Sequence, residues 1–307
     1  MKARWIFNSN AGKSEAADEL QEAIRAIGGQ DIYLSEHPDH TAEAVACCHG
    51  EGFDTVIACG GDGTVNSVVS GLMACKKHRP TFGVLPMGTG NDFARTLGMP
   101  LIGLEAIEVL QVAERRPCDV ANVLCRGESR ISVNVSAGGF SGQVSEAATD
   151  EVKSAWGSLA YLRSAVTAIR ELTRFHTRVR FDGGPAEEME LINVIVANAR
   201  TAAGGTVVAP QASIEDGLFD VVLVRGGTLL DLTGVAARLI AGEYTAHDLV
   251  ELRRCKTLAV ESDPAMTFNV DGDLLDPGPL EFELIAGAID VLVGPEYVPT
   301  VEAKPAV

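Results

Sequence analysis

The 307-residue sequence predicts an α/β fold followed by a β-rich one: a doubly wound α/β domain, then a β-sandwich-like second domain. Three observations carry this. Short apolar runs alternate with helical patterns from residue 1 to about 120. Two of those runs close on glycine-rich segments, one starting at Gly60 and the other at Pro86. After Pro117 the alternation stops and short β-type runs take over.

The elements are expected in this order. Arg4–Asn8 is a strand, followed by a helix over 14–27 with Ser14 as its cap and Leu20, Ile24 and Ile27 on one face. Next come strand 31–35, helix 41–51, strand 55–59, helix 65–75, strand 81–85 and helices near 91–97 and 102–114. Such alternation implies parallel strands joined by crossover helices. Beyond Pro117, runs 118–125 and 131–135 read as strands paired around Arg126-Gly127, and 144–173 reads as helical. Further strands are expected over 177–182, 189–197, 218–225, 249–254, 257–262, 266–270, 280–285 and 289–293, with one helix near 229–241. Gly183-Gly184-Pro185 and Pro277-Gly278-Pro279 suit hairpin loops. We place one domain at 1–120 and the second at 121–293. The Pro-rich tail, 294–307, returns in part to the first domain.

Composition narrows the function. A hydrophobic content of 46% supplies sizeable cores, and a net charge of −17 lacks the basic footprint that nucleic acid requires. The same charge leaves room only for transient contact with an anionic membrane surface, through a local basic patch. Arg163, Arg170, Arg174, Arg178 and Arg180 form such a run, and a solvated helix face with carboxylate partners explains it equally well. Trp156, Leu159, Tyr161 and Leu162 beside it are expected in the core. Seven cysteines without a CxxC spacing suggest reduced, buried thiols in the cytoplasm. The N-terminus enters a strand instead of a secretory apolar segment, and no apolar run reaches the ~18 residues of a membrane helix.

Gly60-Gly61-Asp62-Gly63-Thr64-Val65-Asn66 is the most informative stretch. Three glycines can take φ > 0 turns and aim successive N–H groups at phosphate oxygens, and a helix starting at Val65 adds its N-terminal field. A carboxylate beside a phosphate is useful as a Mg²⁺ ligand or as a polar anchor, so Asp62 takes one of those roles. The bland alternative is a plain strand-to-helix turn. In Pro86–Arg95, Gly88 and Gly90 free the backbone, while Thr89, Asn91 and Asp92 are good helix N-caps. Strand Arg4–Asn8 ends in Asn8-Ser9-Asn10-Ala11-Gly12. Ligands of open α/β sheets sit at the carboxyl ends of strands, so all three ends are expected around one nucleotide. Gly12-Lys13-Ser14 is not a P-loop, because Phe7 stands where that motif needs its first glycine.

These segments resemble the diacylglycerol kinase catalytic family, which includes sphingosine and ceramide kinases, and the likeness is closest to its small bacterial lipid kinases. The resemblance extends to Asn134–Gly142, Gly204-Gly205, Pro210, Asp216–Asp220 and Asn269-Val270-Asp271-Gly272-Asp273. It implies transfer of the γ-phosphoryl of ATP, with Mg²⁺, to a diacylglycerol-like or sphingoid lipid in phospholipid biosynthesis, with the lipid hydroxyl entering a cleft between the domains; a homodimer is allowed. It implies that Asn8, Asn10, Gly60, Gly61, Asp62, Gly63, Thr64, Asn66, Gly88, Thr89, Asn91 and Asp92 bind the nucleotide. Asp62 and Asp273 become the catalytic residues. A structural Mg²⁺ is implied on Asp216 and the carbonyl of Leu218, with Asp119 linked to it through water. Alone, Asp216-Gly217 reads as a β-turn, and Asp271-Gly272 as a hairpin.

The sequence also departs from the family. Ser9 replaces a proline, Ser67 a glutamate, and Ser213 lies where a further acidic ligand would help. Asp273 replaces the glutamate that acts as general base, and reaches about 1.5 Å less, one C–C bond. Two alternatives therefore stand beside the lipid kinase. One is an enzyme like NAD kinase, which shares the GGDGT loop. The other is a non-catalytic regulator that binds nucleotide or lipid.

Overall fold

A computed structural model of the chain describes residues 2–8, 15–29, 31–48, 50–75, 78–147, 173–228 and 247–299, with 231, 234–235, 238–239 and 244 besides. Contacts between residues divide it into two compact units. One holds the chain up to Asp119 together with Gly287–Pro299, and the other runs Val120–Ala286.

The first unit is a parallel α/β layer structure. Its strands are β1 (Ala3–Asn8), β2 (Asp31–Ser35), β3 (Thr55–Gly60) and β4 (Thr81–Pro86), in the order β2-β1-β3-β4. Trp5 lies beside Ile57, and Ile57 beside Gly83. β3 and β4 are buried along their whole length, as strands covered on both faces must be. Their helices are α1 (Glu15–Ala26), α2 (Pro38–Cys48), α3 (Asp62–Ala74), α4 (Asp92–Thr96) and α5 (Gly103–Leu110). Val68, Val69 and Leu72 turn the apolar face of α3 to the core. Gly71 brings α3 within 3.1 Å of the Ala42 backbone for an added Cβ, which fixes the close packing of α2 on α3.

Two helices begin three residues earlier than the pattern predicts. α2 opens on Pro38, whose fixed φ and missing N–H suit a first helical turn. α3 opens on Asp62, inside the glycine segment. α5 stops at Leu110 instead of 114, because the chain re-enters an extended strand at Glu114. Gly294–Pro299 lies against Gly98, where a Cβ would come within 2.0 Å of the Tyr297 nitrogen.

The second unit is antiparallel. Strands β5 (Glu114–Cys125) and β6 (Glu128–Ser132) form a hairpin whose turn residues, Arg126 and Gly127, both have positive φ. After β7 (Val135–Gly139) and α6 (Phe140–Ala147) come β8 (Phe175–Phe181) and β9 (Ala186–Ala197), joined through Asp182-Gly183 in a second positive-φ turn. Among the described residues, β10 (Thr201–Ala202) and β11 (Thr206–Val207) form a separate two-stranded pair. β12 (Phe219–Arg225) lies between β9 and β13 (Val250–Cys255). β14 (Thr257–Asp263) pairs with β8, and β15 (Phe268–Val270) links β7 to β16 (Asp273–Leu275). β17 runs Leu280–Val293 as one strand, where the sequence suggests two; Gly287, at φ 56°, marks the break in the pattern. Along β12, Val221 and Leu223 enter one apolar cluster while Val222 and Val224 enter another, so both faces of the strand are covered.

Most of the helices expected over 144–173 and 229–241 lie outside the described residues, as do Arg163, Arg170, Trp156, Leu159, Tyr161 and Leu162. α6 itself starts earlier, at Phe140. Of the remaining arginines, Arg178 and Arg180 lie on β8, a strand between β9 and β14, and Arg174 just before it, so none lies on a helix face. Arg178 on β8 pairs at 3.4 Å with Glu188, its neighbour on β9, and Arg174 pairs at 2.6 Å with Glu190. All seven cysteines are free thiols, but Cys47 is exposed and Cys75 half-buried.

Candidate active site

Parallel pairing puts the carboxyl ends of β1, β3 and β4 on one edge of the first unit, with Phe7 beside Cys59 and Gly60 beside Pro86. Asn8 is exposed at the end of β1. Asn10 lies outside the described residues.

The glycines of this edge act by being small, which corrects the expected positive-φ nest. Gly61 sits at φ −94°, ψ −169°, ordinary extended backbone, as the N-cap of α3. A Cβ on Gly60 would lie 2.2 Å from Thr64 Oγ1, and one on Gly88 would lie 2.5 Å from Gly61 Cα. Two backbones thus touch where any side chain would separate them. The Met87 N–H donates to Gly60 O at 3.0 Å and holds the contact. Gly63 differs: its added Cβ meets nothing within 4 Å, and the residue faces open space in the first turn of α3. The N–H groups of Asp62 and Gly63 belong to that turn, where no helical carbonyl precedes them.

Asp62 ties the loops together. Its Oδ1 accepts the Phe93 N–H at 3.1 Å, so a carboxylate at the start of α3 caps α4 from across the edge. Asn91, expected as a side-chain cap, has a different task. It takes a left-handed conformation, φ 51°, and makes no side-chain cap bond. Its amide accepts the Gly88 N–H at 2.9 Å and donates to Gly88 O at 2.6 Å, closing the loop from inside. Asp92 is buried, and Thr89 is exposed on the loop. Thr64 is buried, while Asn66 is half-buried with its Oδ1 accepting from Ser70 at 3.4 Å. The two loops therefore bring Gly60, Gly61, Asp62, Gly63 and Thr64 together with Gly88, Asn91 and Asp92.

In the second unit, Asp273 is exposed as the first residue of β16. Its carboxylate makes no hydrogen bond or ion pair among the described residues. The side chain that the sequence reading missed is Asp271, two residues before it. The Asp271 carboxylate accepts the N–H groups of Val133 at 2.7 Å, Asn134 at 3.2 Å and Val135 at 3.0 Å, and the Ser132 hydroxyl at 3.0 Å. Asp271 is held at φ 47° and Gly272 at φ 102°, with the Gly272 N–H donated to Asn269 Oδ1 at 2.8 Å. The available signal was the Asp-Gly pair itself, which marks a turn without revealing where the carboxylate goes.

The residues expected around a structural Mg²⁺ do not fit one. Asp216 Oδ1 accepts the Leu218 N–H at 3.1 Å, and its Oδ2 carries the Arg254 guanidinium. Asp119 is 1% exposed, and its Oδ1 accepts the Gly287 N–H at 2.7 Å. Among the described residues no three His, Cys, Asp or Glu side chains converge as a metal site.

Comparison with known proteins fits both units. Residues 2–123 match the model of the diacylglycerol kinase catalytic domain, and residues 134–293 match that of the YegS C-terminal NAD kinase beta sandwich-like domain. A diacylglycerol kinase of Staphylococcus aureus (strain MRSA252) is 31% identical over 295 residues, covering 94% of this chain and 91% of that protein. The chain belongs to the diacylglycerol kinase family. It is accordingly a kinase, an enzyme of phosphoryl transfer. A crystal structure of a diacylglycerol kinase from Bacillus anthracis (strain Sterne) superposes with a TM-score of 0.78 at 24% identity, covering 96% of this chain and 97% of that one. An NAD kinase from Archaeoglobus fulgidus, solved in complex with ATP, has a TM-score of 0.53 at 14% identity, covering 96% and 94%. Both likenesses show a shared fold: a kinase-like α/β domain followed by a β-sandwich-like one. No helix among the described residues is long and apolar enough to cross a membrane.

Proposed function

We propose that this kinase transfers the γ-phosphoryl group of Mg-ATP to a hydroxyl of a diacylglycerol-like lipid. The observation that supports it most is the contact of Gly61 with Gly88 beside the open first turn of α3. That contact leaves free backbone donors at a positive helix end, which suits phosphate oxygens. Gly63 fits the same reading, since among the described residues no atom lies within 4 Å of an added Cβ, while a phosphate approaching the backbone would need that room. Asn8 would reach the nucleotide from β1, and Thr89, Asn66 and Asp92 would shape its site. Asp62 would hold α4 with one oxygen and face the metal-bound phosphates with the other; Mg²⁺ arrives with ATP as part of the substrate and neutralises its charge.

Asp273 is the residue we assign to the acceptor. A general base needs a lone pair not already engaged, and its exposed carboxylate has one. Asp271, half-buried, spends both oxygens on the backbone N–H groups of Val133, Asn134 and Val135. The proton on the lipid hydroxyl would pass to Asp273 as the oxygen attacks the γ-phosphorus, while the bond from that phosphorus to the β,γ-bridging oxygen breaks and ADP leaves with the electron pair. The work would be done in the cytoplasm, where the lipid is met at a membrane surface.

The deciding experiment offers purified protein labelled ATP with diacylglycerol, ceramide, sphingosine and NAD in parallel. Label on diacylglycerol is the expected result, and label on NAD alone would overturn the reading. Binding of ATP without turnover on any acceptor would favour the regulator, whose support is Asp273, Ser9 and Ser67 in place of the family's residues.

A further inference from the structure

We propose that Arg254 occupies the place of the structural divalent cation, so that a guanidinium, and not Mg²⁺, holds the Asp216–Asp220 turn. β12 and β13 are antiparallel, and Arg254 is the direct cross-strand partner of Asp220. Asp216 lies one turn upstream, where Gly217 at φ 73° swings the chain into β12. One guanidinium thus reaches two carboxylates. Its Nη2 donates to Asp216 Oδ2, and its Nε lies 3.4 Å from Asp220 Oδ2, close enough for charge pairing though not aligned as a hydrogen bond. A planar guanidinium with several donors is suited to such bridging.

The surroundings fit a resident cation that is part of the chain. Asp220 is 5% exposed, and the charge that faces it is the Arg254 guanidinium. An unpaired charge there would be costly. Asp216 spends its other oxygen on the Leu218 N–H. Ser213, buried nearby in sequence, brings no charge, and its Oγ accepts the Glu215 N–H at 3.4 Å. A divalent ion on Asp216 would have to displace the guanidinium or sit beside it against like charge. The inference does not depend on which hydroxyl receives the phosphate.

The test is thermal denaturation of the full chain without nucleotide, with millimolar Mg²⁺ against chelator. A cation that binds only the folded state must raise Tm. Wild type is expected to melt at the same temperature in both. Arg254→Met is expected to melt about 2–5 °C lower, and combining it with Asp216→Asn should add little to that loss. A Mg²⁺-dependent rise in wild type that Asp216→Asn removes would overturn the proposal. So would losses in the two single variants that simply add. If Arg254→Met does not fold, the wild-type titration and its Asp216→Asn counterpart still decide.

Discussion

The glycine loop at Gly60–Gly63 and the Asp-Gly hairpin at Asp271-Gly272 are similar in sequence and work by different physics. In the loop the glycines matter for room: Gly61 is extended, and Gly88 touches its Cα. In the hairpin the backbone is left-handed and open, with nothing within 4 Å of an added Cβ on Gly272. The two aspartates differ in the same way. Asp62 has one oxygen engaged, by the Phe93 N–H, whereas Asp271 is caged by three N–H groups and a hydroxyl. A carboxylate near a glycine can therefore be chemistry or scaffolding, and only its hydrogen bonds tell which.

Substitutions can break this contrast. Asp271→Ala should have the largest effect on stability. It strands the N–H groups of Val133, Asn134 and Val135, all buried, at a cost of about 3 kcal/mol or more. Urea denaturation reads it directly, and a loss under ~1 kcal/mol would mean that water replaces the carboxylate. Gly88→Ala comes next, at about 2 kcal/mol, because the Gly61 backbone cannot move aside like a flexible side chain. Its affinity for ATP should fall together with its stability. Gly272→Ala should be mildest, about 1 kcal/mol, a conformational cost without a clash. If Gly88→Ala proved no worse than Gly272→Ala, the distinction between room and conformation would fail.

Much of the fold was legible because periodicity reports burial. β1, β2, β3 and β4 lie within a residue of their predicted bounds, since each is an apolar run between polar punctuation. The start of α3 was misread because glycine lowers helix propensity, yet tertiary packing holds Asp62 and Gly63 in a helical turn. β17 read as two strands because Gly287 interrupts its apolar pattern without ending the strand. β7 and β16 were illegible: one is built of small residues and the other is three residues long. In the candidate site, the two glycine segments were visible as segments, but their pairing was not. Nothing local says that Gly61 meets Gly88, that Asn91 folds back on Gly88, or that Asp216 faces Arg254, 38 residues away.

We assign the acceptor proton to the exposed Asp273 and the holding of the hairpin to Asp271. Steady-state kinetics of Asp273→Asn and Asp273→Glu, with labelled ATP and diacylglycerol, test this assignment most directly. The account predicts that Asp273→Asn lowers kcat by roughly 10²–10⁴-fold with KM for ATP and Tm nearly unchanged, and that Asp273→Glu retains or raises turnover. Wild-type kcat in Asp273→Asn would contradict it.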